Sequence, residues 1–541
     1  MAASPNPTPA GGPLVEGPAD PEHDPTAAYA LEPDYVAGLT ARLVATTGRT
    51  VAVTSPLDGA PLAHVPQSSE ADVAEAFARA RRAQAVWARV PVAERAAMLL
   101  RLHDLVLERQ DEIIDLIVLE SGKARKHAFD EPLHIALTAR YYARTARQHL
   151  DTQRKRGVVP GLTRVEVNHV PKGVVGIISP WNYPFTMALC DGLPALLAGN
   201  AVVTKPDAQT MLTALLGARL LDEAGFPQDL WQVVAGPGRE LGGPIIERSD
   251  YVCFTGSTAT GKLIAAQCAE RLIGCSLELG GKNPLLVLRD ADLEKAAEGA
   301  VRASFSNAGQ LCVSMERMYV ADQVYDRFVE RFVARTQAMT LGATLAWEND
   351  MGSLISQDQL DTVTAHVDDA VAKGARVLTG GRARPDLGPF YYEPTILEGV
   401  TPDMTCFGHE TFGPVVSLYR FHDEADAVAR ANDGDYGLNA SIYSQDGGRA
   451  RAIARQVKCG TVNINEAFGA TFASIDSPMG GMRESGMGRR QGSEGIHRYT
   501  ESQSVATQRL VRFAPMLGMS DETYAKVMTA NLRLMKKLGR A

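Results

Sequence analysis

The spacing of apolar side chains divides the chain into a helical N-terminal block and a long region of alternating strands and helices. From Ser69 to Val90, the residues Val73, Phe77, Ala80 and Trp87 fall on one helical face, and Ser69 with Asp72 three residues later forms a capping pair at the start. Pro91 marks the first turn of a second helical stretch, with Met98, Leu102 and Leu105 in one stripe and an end near Ser121-Gly122. A third helix is predicted from about Phe129 to Leu150. Its Tyr141-Tyr142 pair is a candidate lining for a substrate entrance, core packing being the commoner role of helical tyrosines.

The pattern then changes. Arg164 to Val170 alternates polar and apolar residues, and Pro160-Gly161 is a turn signal, so residues 154–171 are predicted to form a projecting hairpin. Short apolar strands then alternate with helices: Val174–Ser179 with 186–198, Ala201–Lys205 with 210–224, Trp231–Val234 with 239–247, and Tyr251–Phe254 with 258–271. That alternation predicts an α/β fold with a parallel, doubly wound sheet whose ligands lie at the carboxyl ends of the strands. A further α/β region opens at Leu285–Leu288 and reaches about residue 475, with helices at Ala291–Ser304 and Gln323–Met339 and strands at Val415–Tyr419 and Thr461–Asn465. Tyr499–Gln508 alternates as a strand does, and Ser520–Leu538 has acids early and bases late, as a capped helix does. That last helix suits docking on its own or a neighbouring subunit better than lying on a membrane, because its apolar stripe is short.

Composition narrows the function classes. Hydrophobic residues make up 45% of the 541 and charged ones 22%, enough for a sizeable soluble core. Residues 1 to about 27, rich in Pro, Ala, Gly and Asp, cannot offset their ordering entropy by burial, so order is expected to begin near Leu31. A net charge of −8 without a basic stripe argues against a nucleic-acid partner. The seven cysteines contain no CxxC pair, so neither a disulfide framework nor a metal site is expected. With no secretory pattern and no apolar run of about 18 residues, the expectation is a cytoplasmic protein without a membrane span.

The stretch Glu278-Leu-Gly-Gly-Lys-Asn-Pro284 followed by Phe305-Ser-Asn-Ala-Gly-Gln-Leu-Cys312 carries the chemistry. A lone carboxylate beside a glycine pair and a cysteine delivered by an Asn/Gly-rich turn suit a base and a nucleophile, although most free cysteines are small core residues. Gly256-Ser-Thr-Ala-Thr-Gly261-Lys262-Leu263 nearly spells a triphosphate-binding loop, but Leu263 stands where the magnesium-binding hydroxyl would be. What remains is a helix N-terminus able to face a phosphate. Gly236-Pro-Gly238, with Gly242 beyond, is a weak near-match to a dinucleotide fingerprint.

From about residue 45 to 508 the chain resembles the aldehyde dehydrogenase superfamily at every station: Pro180-Trp-Asn-Tyr-Pro184, Lys205-Pro206, Phe254-Thr-Gly-Ser257, Glu278 to Gly281, Asn307 to Cys312, Glu410-Thr-Phe-Gly-Pro-Val415, Pro478 to Gly481 and Ser485-Gly-Met-Gly-Arg489. Within the family it is most similar to the second type of actinobacterial succinate-semialdehyde dehydrogenase. The resemblance implies that Cys312 is the nucleophile, Glu278 the base for hydrolysis, and the Asn182 amide with the Cys312 N–H the oxyanion donors. It implies NADP or NAD as cofactor. Lys205 would hold the adenosine ribose, and Ser179, Pro180, Trp181, Gly238, Phe254, Thr255, Gly256, Ser257, Leu279 and Gly280 would line the dinucleotide. Glu410 and Phe412 would meet the nicotinamide riboside. Helix capping is the plain alternative for Asn182 and Ser257, a solvated lysine for Lys205, and an ordinary salt-bridge partner for Glu278.

The resemblance also implies a division of the chain: a tail at 1–30, a dinucleotide-binding domain at 31–153 and 172–283, and a catalytic domain at 284–494. Oligomerisation strands at 154–171 and 495–510 would join copies into dimers or tetramers, and 511–541 form a C-terminal helical extension. Two departures stand out. Ala208 replaces a glutamate common in NAD-preferring members, which favours acceptance of NADP. Cys190 and Ser306 stand where succinate-semialdehyde dehydrogenases carry arginines for the substrate carboxylate. Succinate semialdehyde is the expected substrate, the alternative being a non-anionic aliphatic or aromatic aldehyde, since Phe468 and Phe472 in the loop Glu466–Ser477 could admit one. A cysteine esterase or acyl-transfer enzyme and a non-catalytic binding protein are the readings from other classes.

Overall fold

The computed structural model describes residues 30–157, 163–342, 344–509, 513–516 and 518–539. They form two compact units: one built from the chain up to His149 together with Pro171–Tyr499, the other from Leu150–Val170 and the residues from Thr500 onward. The tail expected to be disordered lies outside the described residues.

The first unit opens with the predicted helices. In Glu70–Trp87 the Ser69 hydroxyl accepts from the Asp72 N–H while the Asp72 carboxylate accepts from the Ser69 N–H, a complete capping box. Val73, Phe77, Ala80 and Trp87 are buried, and the Trp87 indole donates to the Leu196 carbonyl at 2.8 Å. The stretch predicted to follow Pro91 is two helices, Val92–Glu108 and Gln110–Ser121, broken at Arg109. Arg109 leaves helical geometry (φ −106°, ψ 25°) and donates to Glu112 on its own side and to Glu223 across the fold. Gly122 then ends the second helix at φ +70°, with Ser353 packed so closely that a side chain there would clash. The third helix runs Asp130–Leu150. Tyr142 is buried and donates to the Gly492 carbonyl, and Tyr141 donates to Asp476 at 2.6 Å, so this pair packs and ties the fold.

Two sheets follow. In the six-stranded one the order is Gly486–Met487, Gly274–Glu278, Tyr251–Thr255, Val174–Ile178, Ala201–Lys205, Trp231–Val233, parallel except for the first pair. The chain starts in the middle at Val174–Ile178, winds outward on one side, then returns to Tyr251–Thr255 on the other. Such a reversal leaves a crevice at the carboxyl ends of these two neighbours. Those ends carry Ser179-Pro180-Trp181 and Gly256-Ser257. The helix predicted at 186–198 is two short ones, Pro184–Leu189 and Gly192–Leu197, since Pro194 has no N–H to give the Cys190 carbonyl at the break; Gly192 passes beneath the Trp231 ring, where a Cβ would lie 2.2 Å from it.

The seven-stranded sheet has the order Arg376–Thr379, Thr395–Glu398, Val415–Phe421, Met315–Ala321, Asn283–Val287, Asn439–Tyr443, Thr461–Ile464, antiparallel only in its first pair. Its central strands Asn283–Val287, Met315–Ala321 and Asn439–Tyr443 are buried along their whole length, as strands covered on both faces should be, and their polar residues Asn283, Glu316, Arg317, Asn439 and Ser441 are hydrogen-bonded inside.

The second unit is a three-stranded sheet in which Thr163–Pro171 lies between Gln153–Lys155 and Thr500–Gln508. Gln153 faces Val167 and Lys155 faces Val165 in antiparallel register, as a hairpin requires. Its predicted turn at Pro160-Gly161 lies outside the described residues. The helix Asp521–Lys537 is capped by Ser520, whose hydroxyl accepts from the Thr523 N–H, and buries none of its residues. Among the described residues no helix is long and apolar enough to cross a membrane.

Candidate active site

Cys312 follows an unusual turn. After the helix Leu293–Phe305, Asn307 (φ 52°), Ala308 (φ 53°) and Gly309 (φ 71°) adopt left-handed backbone in succession, three residues before Cys312. Such geometry persists only where surroundings over-determine it. Here they do. The Asn307 amide donates to the Asn182 and Gln310 carbonyls at 3.0 and 3.1 Å, and the Gln310 amide donates back to Asn307. Gln310 Oε1 accepts from the Ile355 N–H, while Asn283 Nδ2 donates to the Cys312 carbonyl at 2.8 Å. Gly309 lies so close to Gly413 that an added Cβ would sit 2.0 Å from its carbonyl.

Asn182 enters from the other sheet, in the loop after Val174–Ile178. Its side chain does not cap the following helix; Nδ2 donates to the Gln310 carbonyl at 3.0 Å, beside the nucleophile turn. Its own carbonyl accepts from Lys123 Nζ at 2.7 Å. Lys123 is fully buried, paired with Glu131 at 2.6 Å, and lies 3.8 Å over the Tyr183 ring. Glu131 in turn accepts from the Thr186 N–H, so one buried ion pair pins both flanks of the Asn182 loop.

These parts surround a cavity of about 290 Å³. Pro180, Trp181, Asn182, Thr255, Gly256, Ser257, Glu278, Leu279, Gly280, Cys312, Glu410 and Phe412 all line it. Ser179, Lys205, Ala208, Gly238 and Phe254 do not. Lys205 is buried, with Nζ on the Pro206 and Gly236 carbonyls; Phe254 is buried in the sheet, and Gly238 is exposed at the start of the helix Gly238–Arg248. Ser257 does cap its helix, accepting from the Thr260 N–H, and still faces the cavity. Cavity residues the sequence did not single out include His134, Met187, Arg490 and Gln491.

Electrostatics separates the acids. Glu278 is buried at the end of Gly274–Glu278, and its Oε1 has no partner; burial pushes its carboxyl up to about 7. Glu410 accepts from the Gly281 N–H at 2.8 Å and is pushed up to about 8, by burial first and by neighbouring Glu316 second. Burial, then Glu278, lifts the Cys312 thiol to about 12, so the sulfur is protonated at rest and needs a base. Glu316 fixes the Glu410 loop by accepting from the Thr411 and Phe412 N–H groups, and Phe412 (φ 52°) sets its ring edge-on to Trp181 at 5.6 Å.

A second cavity, also about 290 Å³, adjoins this one through His134 and Phe472, whose rings stack at 4.2 Å and which line both. Arg302, Asp130, Glu466 and Phe468 line its far side. Phe472 and Phe468 of the loop Glu466–Ser477 thus divide between the inner and outer chambers. Cys190 and Ser306 are buried, and the Ser306 hydroxyl donates to the Arg302 carbonyl.

The donor set suits a dinucleotide. Gly280 lies where a Cβ would come within 2.6 Å of the Glu410 carboxylate, leaving bare backbone at the crevice, and the buried Ser179 hydroxyl has no partner. No group of three or more His, Cys, Asp or Glu side chains among the described residues could hold a metal.

Residues 43–505 match the family model for the aldehyde dehydrogenase family. The chain belongs to the aldehyde dehydrogenase family. Among relatives of this aldehyde dehydrogenase, a protein of Mycolicibacterium smegmatis provisionally named an NADP(+) succinate-semialdehyde dehydrogenase is 53% identical over 480 residues, 89% of this chain and 93% of that one. A 3-sulfolactaldehyde dehydrogenase of Pseudomonas putida is 37% identical over 85% of this chain and 94% of its own. Among solved structures, a succinate-semialdehyde dehydrogenase of Burkholderia pseudomallei superposes with a TM-score of 0.82 at 35% identity, covering 86% of this chain and 95% of that one.

Proposed function

We propose that this enzyme oxidises an aldehyde to the free carboxylic acid, with NADP or NAD as hydride acceptor. The observation that carries the reading is one cavity onto which Cys312, the unpartnered Glu278 carboxylate and the Asn182 amide all open. Cys312 Sγ adds to the aldehyde carbon as its proton passes to Glu278, and the carbonyl oxygen becomes an oxyanion. The second N–H of the Asn182 amide and the Cys312 backbone N–H are the donors that stabilise it, each worth about 3 kcal/mol of barrier. When bound, the nicotinamide supplies the hydride acceptor that leaves the carbon as a thioester of Cys312. Glu278 gives the thiol's proton up to solvent and, as a base again, takes a proton from the attacking water and passes it to the sulfur as the C–S bond breaks, releasing the acid and the thiol. The residues that would hold the cofactor are Trp181, Thr255, Gly256, Ser257, Leu279, Gly280, Glu410 and Phe412 around the crevice. Ser179, Phe254, Lys205, Ala208 and Gly238 would serve the parts that extend beyond the cavity.

Succinate semialdehyde is the proposed substrate, supported by the names of the mycobacterial relatives. NADP is the proposed preference, supported by those names and by Ala208. A specific observation favours a second reading, a non-anionic aldehyde. Cys190 and Ser306 present no cation, and Met187, Leu311, Val313, Phe472 and Met479 make much of the wall apolar. Nicotinamide reduction across anionic, aliphatic and aromatic aldehydes, with both cofactors, decides between them. Anionic aldehydes ranking last would overturn the first reading, and ester hydrolysis without any cofactor-dependent oxidation would overturn both. The exposed outer strand Thr500–Gln508 supports assembly into dimers or tetramers through the three-stranded sheet, and seven unpaired cysteines support a cytoplasmic setting.

A further inference from the structure

Arg490 is the guanidinium that opens on the catalytic cavity, and every part of it but one is tied down. Its backbone N–H donates to the Met479 carbonyl and its carbonyl accepts from the Met479 N–H, at 2.6 and 2.8 Å. Nε and Nη2 donate to the two oxygens of Asp191 at 2.9 Å each, and Nη2 also donates to Thr255 Oγ1 at 2.7 Å. Asp191 receives a second guanidinium, from Arg498, at 2.6 Å. Two cations on one carboxylate leave the cluster with a net positive charge, in a place where side-chain exposure is 10% or less. The remaining donor, Nη1, meets only the Met187 thioether at 3.3 Å, a weak acceptor.

Glu278 opens on the same cavity with a carboxylate oxygen that has no partner. We propose that Arg490 is a positioning residue for the hydrolytic half of the reaction: fixed by Asp191, it holds a positive charge toward Glu278 so that the carboxylate is ionised when water must be deprotonated. The inference rests on the reading of Cys312 and Glu278 given above. The charged and titratable groups that act on Glu278 are Arg490, Asp191, Arg498 and Arg489, with Cys312 on the same cavity. Thr255 and Glu278 are register partners on adjacent parallel strands, so Arg490, whose Nη2 donates to Thr255 Oγ1, stands on the strand beside Glu278; Arg489 is bound to the Gly481 and Gly488 carbonyls. Arg490 favours the ionised carboxylate and Asp191 opposes it. Removing either charge must therefore move the base in opposite directions, which loss of packing alone cannot do.

The test is the pH dependence of steady-state kcat around about 7, for the full-length enzyme and the Arg490→Gln, Arg490→Lys and Asp191→Asn variants. Arg490→Gln is expected to move the rising limb about one pH unit alkaline, a loss of about tenfold below the midpoint that is recovered at higher pH. Asp191→Asn is expected to move it acidic, and Arg490→Lys to stay near the unaltered enzyme. Midpoints that do not move, or that move the same way in Arg490→Gln and Asp191→Asn, overturn the inference. Should one of these two not fold, the direction of the other decides. An unaltered enzyme that reduces no nicotinamide with any aldehyde contradicts the functional reading itself, whereas turnover with an immovable midpoint contradicts only the role of Arg490.

Discussion

Asn182 and Gln310 meet through a single hydrogen bond, Asn182 Nδ2 donating to the Gln310 carbonyl at 3.0 Å. Asn182 follows the strand Val174–Ile178 of one sheet, and Gln310 belongs to the turn that presents Cys312 from the other. This bond therefore joins the loop carrying the proposed oxyanion donor to the turn carrying the proposed nucleophile. Behind it, Lys123 fixes the Asn182 carbonyl and pairs with the buried Glu131 carboxylate at 2.6 Å.

Removing that cation should be costly. Lys123→Met leaves the Glu131 carboxylate buried without its partner, an expected loss of about 3–5 kcal/mol. Thermal unfolding measures the drop, and kcat/KM in the surviving fraction should fall because the Asn182 loop loses its anchor. An unchanged melting temperature would contradict the assignment.

Gly309→Ala tests the nucleophile turn. The backbone there has φ +71°, and the new Cβ would meet the Gly413 carbonyl at 2.0 Å. Strain and clash together are expected to cost more than about 2 kcal/mol and to displace Cys312. Circular dichroism melts and the rate of thiol alkylation at Cys312 report the two effects separately.

Some of this was legible in the sequence and some was not, for physical reasons. The Ser69–Asp72 capping box is local, and the helix it starts forms as its spacing predicts. The wholly buried strand Val174–Ile178 announces itself as a continuous apolar run. The break at Arg109 has no local signal, because one of its causes is Glu223, 114 residues away. Glycine-flanked Glu278 and Cys312 stand out by residue type and spacing. Arg490 does not, since its meaning depends on Asp191, 299 positions earlier, and on a cavity that only the fold creates. His134 is likewise a helix residue until Phe472 stacks on it.

Cofactor choice is expected to respond to Ala208. Ala208→Glu adds a carboxylate that repels a 2′-phosphate, so the ratio of kcat/KM for NADP to that for NAD should fall by about tenfold, or about 1.4 kcal/mol. The neighbouring Asp207 carboxylate accepts from the Gln209 N–H in its own loop. An unaltered ratio would place discrimination elsewhere.

Steady-state turnover should rise as pH increases through about 7, where the buried Glu278 carboxyl loses its proton and becomes a base. In Glu278→Gln the rising limb should vanish and steady-state kcat fall by about a hundredfold or more. Stopped-flow detection of nicotinamide reduction under excess enzyme then shows whether the oxidative half persists, slowed by loss of the base for the thiol.

The most direct measurement is the mass of the Glu278→Gln enzyme after one exposure to aldehyde and NADP, followed by peptide mapping. A thioester adduct carrying the acyl group of the substrate, located on the peptide that contains Cys312 and absent without cofactor, is the predicted result. An adduct on any of the other six cysteines, or turnover that persists undiminished in Cys312→Ala, would contradict the account.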